Sequence, residues 1–193
     1  ARTGKTQEAL KYNHIALKAR KQNNDKSGIA MSLSNIGTLH ESQGNYSAAL
    51  DYYLQALRIR EETGEKAGMA ISYNNLGTCY FYQEKYTESA AYFTKSMKIW
   101  EELGHKKGMA DGYNNLGSIY TKQSKIKDAI KMHQQALELR KKAGDQYGMA
   151  RVGQAAALCG AGIVVVALLA TDATWLLAAF ILLGAAQAAN LLA

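Results

Sequence analysis

The chain of 193 residues contains no proline at all, whereas proline normally makes up roughly 5% of a protein. Proline interrupts helices because it lacks a backbone N–H and its ring collides with the preceding turn, so its absence favours long, uninterrupted helices. An absence this complete also suggests an engineered or trimmed chain. Cysteine is scarce too: Cys79 and Cys159 form no spaced motif, which indicates small buried side chains in a reducing compartment.

Motifs for catalysis and cofactor binding are also missing. The four histidines lie in separate segments without the spacing of metal ligands, and they are His14, His40, His105 and His133. There is no phosphate-binding glycine loop and no serine elbow. We therefore expect no enzymatic activity, no cofactor and no metal site. His40 and His133 occupy positions that are aromatic in the other repeats described below, which predicts packing roles for both.

Charge of one sign is in excess, with a formal net charge of +7. Residues 151–193 contain only Arg151 and Asp172 as charged residues, so the whole excess lies in residues 1–150. A basic chain can meet acidic peptides, nucleic acid or anionic lipid. Here Glu and Asp are interspersed along the same segments, and no basic stripe with interleaved aromatic residues occurs, so we expect no nucleic-acid partner. Solvated lysines on outer helix faces account for the excess.

A repeat with a period of forty residues organises residues 1–150. The decapeptide GMAISYNNLG at 68–77 recurs as GMADGYNNLG at 108–117 and, with more changes, as GIAMSLSNIG at 28–37. A further Gly-Met-Ala begins at Gly148, and then the pattern stops. A fixed period of this length is typical of stacked supersecondary units, each of which buries its apolar face against the next. The repeat predicts an interaction surface, but it does not identify the ligand.

Each unit is predicted to be a helix–turn–helix, because apolar residues recur at helical spacing on both sides of a short polar turn. We call the first helix of each unit helix A and the second helix B. The predicted repeats are 29–62, 69–102 and 109–142, with helix A at 29–43, 69–83 and 109–123 and helix B at 46–62, 86–102 and 126–142. Residues 6–22 align with helix B and predict a half repeat. Gly64, Gly104 and Gly144 follow the B helices, where a left-handed residue closes a helix.

Small and large residues alternate between the two helices of a unit, as in closely packed helix pairs. Gly37, Gly77 and Gly117 are predicted to let helix A approach helix B, and alanines on helix B do the same. In the second unit the order is Tyr73, Leu76, Gly77, Tyr80, Tyr86, Ser89, Phe93 and Ser96. This order resembles the tetratricopeptide repeat. The long period and the missing terminal proline resemble its long-repeat subfamily, typified by the cell-polarity adaptor LGN, kinesin light chain and many bacterial regulators.

The resemblance covers residues 6–150 and implies an all-α fold, a right-handed α-solenoid of helix–turn–helix repeats that binds a protein or peptide. In such an array the A helices line the concave face. Asparagine is a mediocre helix former, so its recurrence at Asn35, Asn75 and Asn115 requires a reason. Its side chain both donates and accepts, and in the subfamily that position contacts the backbone of a bound peptide. The alternative is that these residues cap or bridge neighbouring helices.

The predicted groove residues are Asn35, Asn74, Asn75, Tyr82, Asn114, Asn115 and Lys122. Threonine, serine and tyrosine around the asparagines suit a polar peptide. No dense set of lysines and arginines resembles the carboxylate clamp of chaperone-binding members, which argues against recognition of a C-terminal carboxylate.

Residues 151–193 differ from the repeats, since they predict two helices, 151–170 and 173–193, that are apolar on all sides. Such helices lie in lipid or in an apolar interface. One alternative is a membrane hairpin that holds the cytoplasmic repeats at the membrane surface. A second is a homo-oligomer interface, and a third is a cap on a larger array of repeats. The abrupt change in composition also fits an engineered or fused scaffold without a natural ligand. The predicted interface or membrane residues are Leu158, Ile163, Val166, Leu169, Trp175, Leu176, Phe180 and Leu183.

Overall fold

The computed structural model describes residues 2–145, and within this range the chain forms seven α-helices and no strands. They are α1 (Arg2–Gln22), α2 (Lys26–Ser42), α3 (Tyr46–Thr63), α4 (Lys66–Tyr82), α5 (Tyr86–Glu102), α6 (Lys106–Lys122) and α7 (Ile126–Lys142). The pairs α2–α3, α4–α5 and α6–α7 are the three A–B units, and α1 is a lone helix B that packs on α2. For residues 2–145 the prediction of an all-α fold of regular helical repeats is confirmed.

The starts of the A helices were predicted wrongly. They begin at Lys26, Lys66 and Lys106, three residues before the expected positions. The side chain of Asp25 accepts a hydrogen bond from the backbone N–H of Gly28 at 2.9 Å, and Nδ1 of His105 accepts from Gly108 at 3.0 Å. These caps satisfy N–H groups that have no partner inside the helix. The recurring glycine therefore lies in the first turn of helix A and not in the turn before it.

Each of these glycines makes room for a side chain from the end of the preceding helix B. A Cβ on Gly28 would meet Cδ of Arg20 at 2.8 Å, and a Cβ on Gly68 would meet Nε of Arg60 at 2.7 Å. Arg60 lies across the junction and donates to Oγ of Ser72 at 2.7 Å. At each junction between repeats a buried or half-buried side chain, Arg20, Arg60 or Trp100, thus reaches over a glycine.

The glycines in the middle of the A helices confirm the predicted close approach, although a ring and not the backbone of helix B fills the space. A Cβ at these positions would meet a ring atom at 2.7–2.8 Å. The pairs are Gly37 with Tyr53, Gly77 with Phe93, and Gly117 with His133. Because the glycines lie under rings, any larger residue there would separate the two helices of a unit.

The small residues at the packing positions of α3, α5 and α7 are buried, as the packing pattern requires: Ala49, Ala56, Ser89, Ser96, Ala129 and Ala136. Where serine replaces alanine, its hydroxyl is satisfied by a carbonyl of helix A: Ser89 donates to Gly77 at 2.7 Å and Ser96 donates to Ala70 at 2.8 Å. Burying a hydroxyl without such a partner would be costly. The substitution of alanine by serine therefore keeps the same close packing and adds a link between the helices.

The predicted apolar pair of helices, 151–170 and 173–193, lies outside the described residues, and so does the division of the chain at residue 150. Among residues 2–145, no helix is both long enough and apolar enough to cross a membrane.

Candidate functional site

One stripe on each A helix is turned away from the B helices and remains accessible. Its residues are spaced by four, three and four positions, which places them on one face of a helix. We call the three stripes together the A-helix surface: Met31, Asn35, Thr38 and Ser42 on α2; Ile71, Asn75, Thr78 and Tyr82 on α4; Asp111, Asn115, Ser118 and Lys122 on α6. All twelve are exposed or half-buried. Equivalent residues are forty positions apart, so the surface forms four rows that cross the three helices.

The row of asparagines is not uniform. Nδ2 of Asn115 donates to Oδ1 of Asn74 at 2.9 Å, which links α6 to α4. For this pair the bridging alternative is therefore the arrangement found. The bond orients the amide of Asn115 and uses part of its hydrogen-bonding capacity.

Asn35 and Asn75 differ from Asn115, because neither side chain forms a hydrogen bond within the described part of the chain. Asn74 lies 41 residues before Asn115, and the residue 41 positions before Asn75 is Ser34. The serine side chain is shorter, and its buried hydroxyl has no hydrogen-bond partner among residues 6–145. Both amides therefore keep their full capacity to donate and to accept.

Asn114 is directed into its own repeat and not toward a ligand. Its Oδ1 accepts a hydrogen bond from Nδ1 of His133 at 3.1 Å. His133 is buried over Gly117, and burial lowers the pKa of its imidazole. A neutral ring that donates to an amide is a packing histidine, as predicted for His133. The other one, His40, stacks on Tyr52 with ring centroids 5.4 Å apart.

The hydroxyl row is internally bonded. Thr38, Thr78 and Ser118 each donate to the carbonyl four residues earlier, at 3.0, 3.1 and 3.1 Å. A hydroxyl has a single proton to donate, so these residues offer a ligand only acceptor capacity.

Charge is confined to the α6 part of the A-helix surface. Asp111 forms an ion pair with Arg140, which also donates to Asp145 at 2.6 Å. Lys122 forms no ion pair with any described residue. The stripes on α2 and α4 contain no charged residue. The surface thus divides into an uncharged part and a charged part.

Tyr82, a predicted groove residue, has a fixed ring at the C-terminal end of α4. It stacks on Tyr46 of α3 with centroids 5.2 Å apart and an interplanar angle of 9°. Its side chain nevertheless remains 55% exposed. The stack limits the ring to one face for a ligand.

A carboxylate behind the surface was not predicted. Glu41 accepts a hydrogen bond from the hydroxyl of Tyr53 at 2.8 Å, and that hydroxyl also lies 3.1 Å from Oγ1 of Thr38. Burial raises the pKa of Glu41, and the bond from Tyr53 opposes that shift. The sequence does mark Glu41 as unusual, because the equivalent positions of the other two units hold the uncharged residues Phe81 and Thr121.

The thiol of Cys79 is buried and is used for packing. Burial, with a smaller contribution from Glu41, raises the pKa of the Cys79 thiol to about 12, so the thiol is protonated near neutral pH and a poor nucleophile. Residues 6–145 contain no group of three His, Cys, Asp or Glu side chains arranged to hold a metal ion.

Comparisons with known proteins agree with this repeat structure. A family model described as tetratricopeptide repeat matches residues 1–62 and 68–142. A search of curated protein sequences finds no match.

Solved structures share the fold at low sequence identity. BtubC (BKLC) from P. vanneervenii is 21% identical with a TM-score of 0.65, over 84% of this chain and 76% of that chain. Aspartyl phosphate phosphatase F from Bacillus subtilis is 20% identical with a TM-score of 0.76, over 81% of this chain and 41% of that one. The apo form of RapI is 19% identical with a TM-score of 0.70, over 77% and 54%. This chain spans about half or less of the last two.

Proposed function

The chain belongs to the tetratricopeptide repeat family, and on this premise we propose that it is a non-catalytic interaction scaffold whose A-helix surface binds an extended peptide of a partner protein. The observation that carries the proposal is the row of accessible amides, Asn35, Asn75 and Asn115, at one register of three successive A helices. A primary amide can donate to a peptide carbonyl and accept from a peptide N–H. Repeated at each helix, it provides affinity through the main chain of the ligand, as in other modes that recognise extended peptides.

The non-catalytic part of the proposal is supported by the use of the reactive groups in packing. The thiol of Cys79 and the imidazole of His133 are buried. Cys79 packs between α3 and α4, and His133 packs over Gly117 of its own unit. Neither reaches the A-helix surface, where a substrate would have to bind.

The test is to replace all three amides at once. We expect the triple variant Asn35→Ala, Asn75→Ala, Asn115→Ala of the full chain to lose binding to peptides selected by the wild-type chain from a random dodecapeptide phage library. The matched control is Gln55→Ala, Thr94→Ala, Gln134→Ala, three exposed polar residues on B helices. Circular dichroism and thermal melting of both variants check that the fold is kept. Unchanged peptide binding by the first variant would contradict the proposal.

For residues 151–193 we propose an anchoring role, either to lipid at the cytoplasmic face of a membrane or to further copies of the chain. The supporting observation is the sequence itself, in which Arg151 and Asp172 are the only charged residues. An apolar segment of this size must be shielded from water by lipid or by another protein surface. Light scattering of the full chain, purified without detergent, distinguishes lipid anchoring from self-assembly. A particle whose mass is a small multiple of 21.1 kDa would indicate self-assembly, whereas recovery only in detergent would indicate lipid.

A further inference from the structure

We infer that the peptide site is confined to α2 and α4 and that it takes an extended, uncharged segment carrying two apolar side chains. The inference rests on the proposed function and makes it more specific. Its core is an open patch of four residues: Met31 and Asn35 on α2, and Ile71 and Asn75 on α4.

The asparagine side chains that are free to bond a ligand lie on α2 and α4. Asn35 and Asn75 have no hydrogen bond to other described residues, whereas the amide of Asn115 is held by Asn74. A ligand can bond to a free amide at no cost to the protein. At Asn115 it must either accept the orientation imposed by Asn74 or break a bond that already exists. The available hydrogen-bonding groups are therefore concentrated on α2 and α4.

Exposed apolar side chains lie beside those amides. Met31 is 51% exposed and Ile71 is 45% exposed, and each lies one helical turn before the asparagine of its own helix. The same row on α6 holds Asp111, which is paired with Arg140. Two exposed apolar residues at the same register of neighbouring repeats form an apolar row alongside the amide row.

The two rows together define the ligand. In an extended segment the main-chain polar groups lie between side chains that alternate from one side to the other. A segment that crosses α2 and α4 can bond its main chain to Asn35 and Asn75. It can then place one apolar side chain on Met31 and another on Ile71. The hydroxyls of Thr38 and Thr78 add acceptors only, because they donate to their own helices.

The stripes on α2 and α4 are uncharged. The chain has 23 basic and 16 acidic residues, yet none of them lies in the stripes of α2 and α4. A charged ligand group placed there would lose water without gaining a partner of opposite charge, which is unfavourable. The uncharged stripes therefore select against acidic and basic segments, although the chain as a whole is basic.

The experiment selects ligands with the full chain from a random dodecapeptide phage library, against a bait that carries only the affinity tag. We expect the enriched peptides to share two apolar positions at a constant spacing and to be depleted in Asp, Glu, Lys and Arg. The tightest binder is then synthesised with a fluorescent label, and its Kd is measured by anisotropy.

Variants of single residues locate the site. Asn75→Ala is expected to weaken binding roughly 3- to 10-fold, the equivalent of about one net hydrogen bond. Ile71→Ser is expected to weaken it about 10-fold through lost apolar contact. The α6 variants Asn115→Ala and Lys122→Ala test the confinement to α2 and α4, which predicts that each changes Kd by less than about twofold, because a lost contact to the ligand would cost more than that. The matched control is Gln55→Ala, an exposed polar residue on a B helix. Unchanged far-UV circular dichroism and a cooperative thermal melt show that each variant is folded.

The contrary outcomes can be told apart. If no peptide is enriched over the tag alone, the proposed function is contradicted, and this inference with it. If the selected peptides are acidic and depend on Asn115 and Lys122, the confinement to α2 and α4 is wrong while peptide binding stands. Selected sequences that match residues 151–193 would make a second copy of the chain the ligand and overturn the assignment to a separate partner.

Discussion

Over α2 and α4 the A-helix surface offers free amides beside exposed apolar side chains, whereas over α6 the equivalent residues are bonded to other parts of the protein. Asn115 is held by Asn74, and Asp111 is held by Arg140. The three stripes nevertheless derive from one repeated sequence. The difference teaches that the role of a repeated residue depends on its partner in the adjacent unit, and not on its place in the repeat.

Two substitutions account for most of this contrast. Ser34 stands where the next unit has Asn74, so Asn75 lacks the partner that Asn115 has. The third unit has His133 where the other units have Tyr53 and Phe93, and His133 forms a hydrogen bond with Asn114. In the second unit the equivalent residue is Phe93, and Oδ1 of Asn74 accepts from Asn115 instead. Each of these positions can be exchanged between units, which provides direct ways to remove or increase the contrast.

The largest effect is expected for Phe93→His, which introduces the core residue of the third unit into the second. The imidazole would be buried over Gly77 and would compete for Oδ1 of Asn74, the acceptor now used by Asn115. Loss of apolar burial and burial of a polar ring should together lower the free energy of unfolding by about 2–3 kcal/mol. Urea denaturation of the full chain measures this. A variant as stable as the wild type would contradict the expected cost of burying an imidazole over Gly77.

The reverse exchange, His133→Phe, is expected to remove a dependence of stability on pH. Burial lowers the pKa of His133 in the folded chain, whereas the pKa of a histidine in an unfolded chain is about 6.5. Above that pH both states are neutral and the full stability is present. As pH falls below it, the unfolded state binds a proton that the folded state resists, so stability decreases.

Urea denaturation of His133→Phe and wild type at pH 7.5 and pH 5 measures this difference. The loss of stability between the two pH values should be smaller in the variant. Glu41→Gln is a useful companion, because burial raises the pKa of Glu41 and its contribution has the opposite sign. Glu41 favours the folded state as pH falls through its titration range. An identical pH dependence in His133→Phe and wild type would contradict the assignment to His133.

Asn74→Ala should have a smaller effect on stability but a direct effect on the contrast. It removes the bond to Asn115 and should cost about 1 kcal/mol of unfolding free energy, the usual net value of one hydrogen bond. It also frees Asn115, so α6 becomes similar to α2 and α4. If peptide binding is then sensitive to an additional Asn115→Ala change, the bond from Asn74 is what excludes α6 from the site.

The smallest effect is expected for Ser34→Asn, which supplies the missing partner of Asn75. A new amide bridge should raise the unfolding free energy by about 0.5–1 kcal/mol. It should also weaken peptide binding a few-fold, roughly the factor for one committed hydrogen bond. Denaturation and anisotropy on the same sample test both. Tighter peptide binding would show that a free Asn75 is not what the ligand requires.

Much of the fold could be predicted from the sequence because the responsible interactions are local and repeat. The periodic small and large residues predicted the helix pairs, and Gly64, Gly104 and Gly144 do have positive φ, between 64° and 68°. The starts of the A helices were missed because His105 is an uncommon cap, and because a glycine was expected in a turn and not in the first turn of a helix. The packing of Arg60 over Gly68 brings together two different helices, so no local sequence pattern predicts it.

By itself, the sequence determined the period, the two helices of each unit and the register that places Asn35, Asn75 and Asn115 in one row. Helical spacing is a property of consecutive residues, so a linear pattern is sufficient for these features. Only the tertiary structure decided which amides are free. The partner of Asn115 is 41 residues away in the chain, on α4, and the bond depends on the length of a side chain and the distance between two helices. A repeated sequence pattern does not show that difference, because a hydrogen bond requires the donor and the acceptor to lie within about 3 Å of each other.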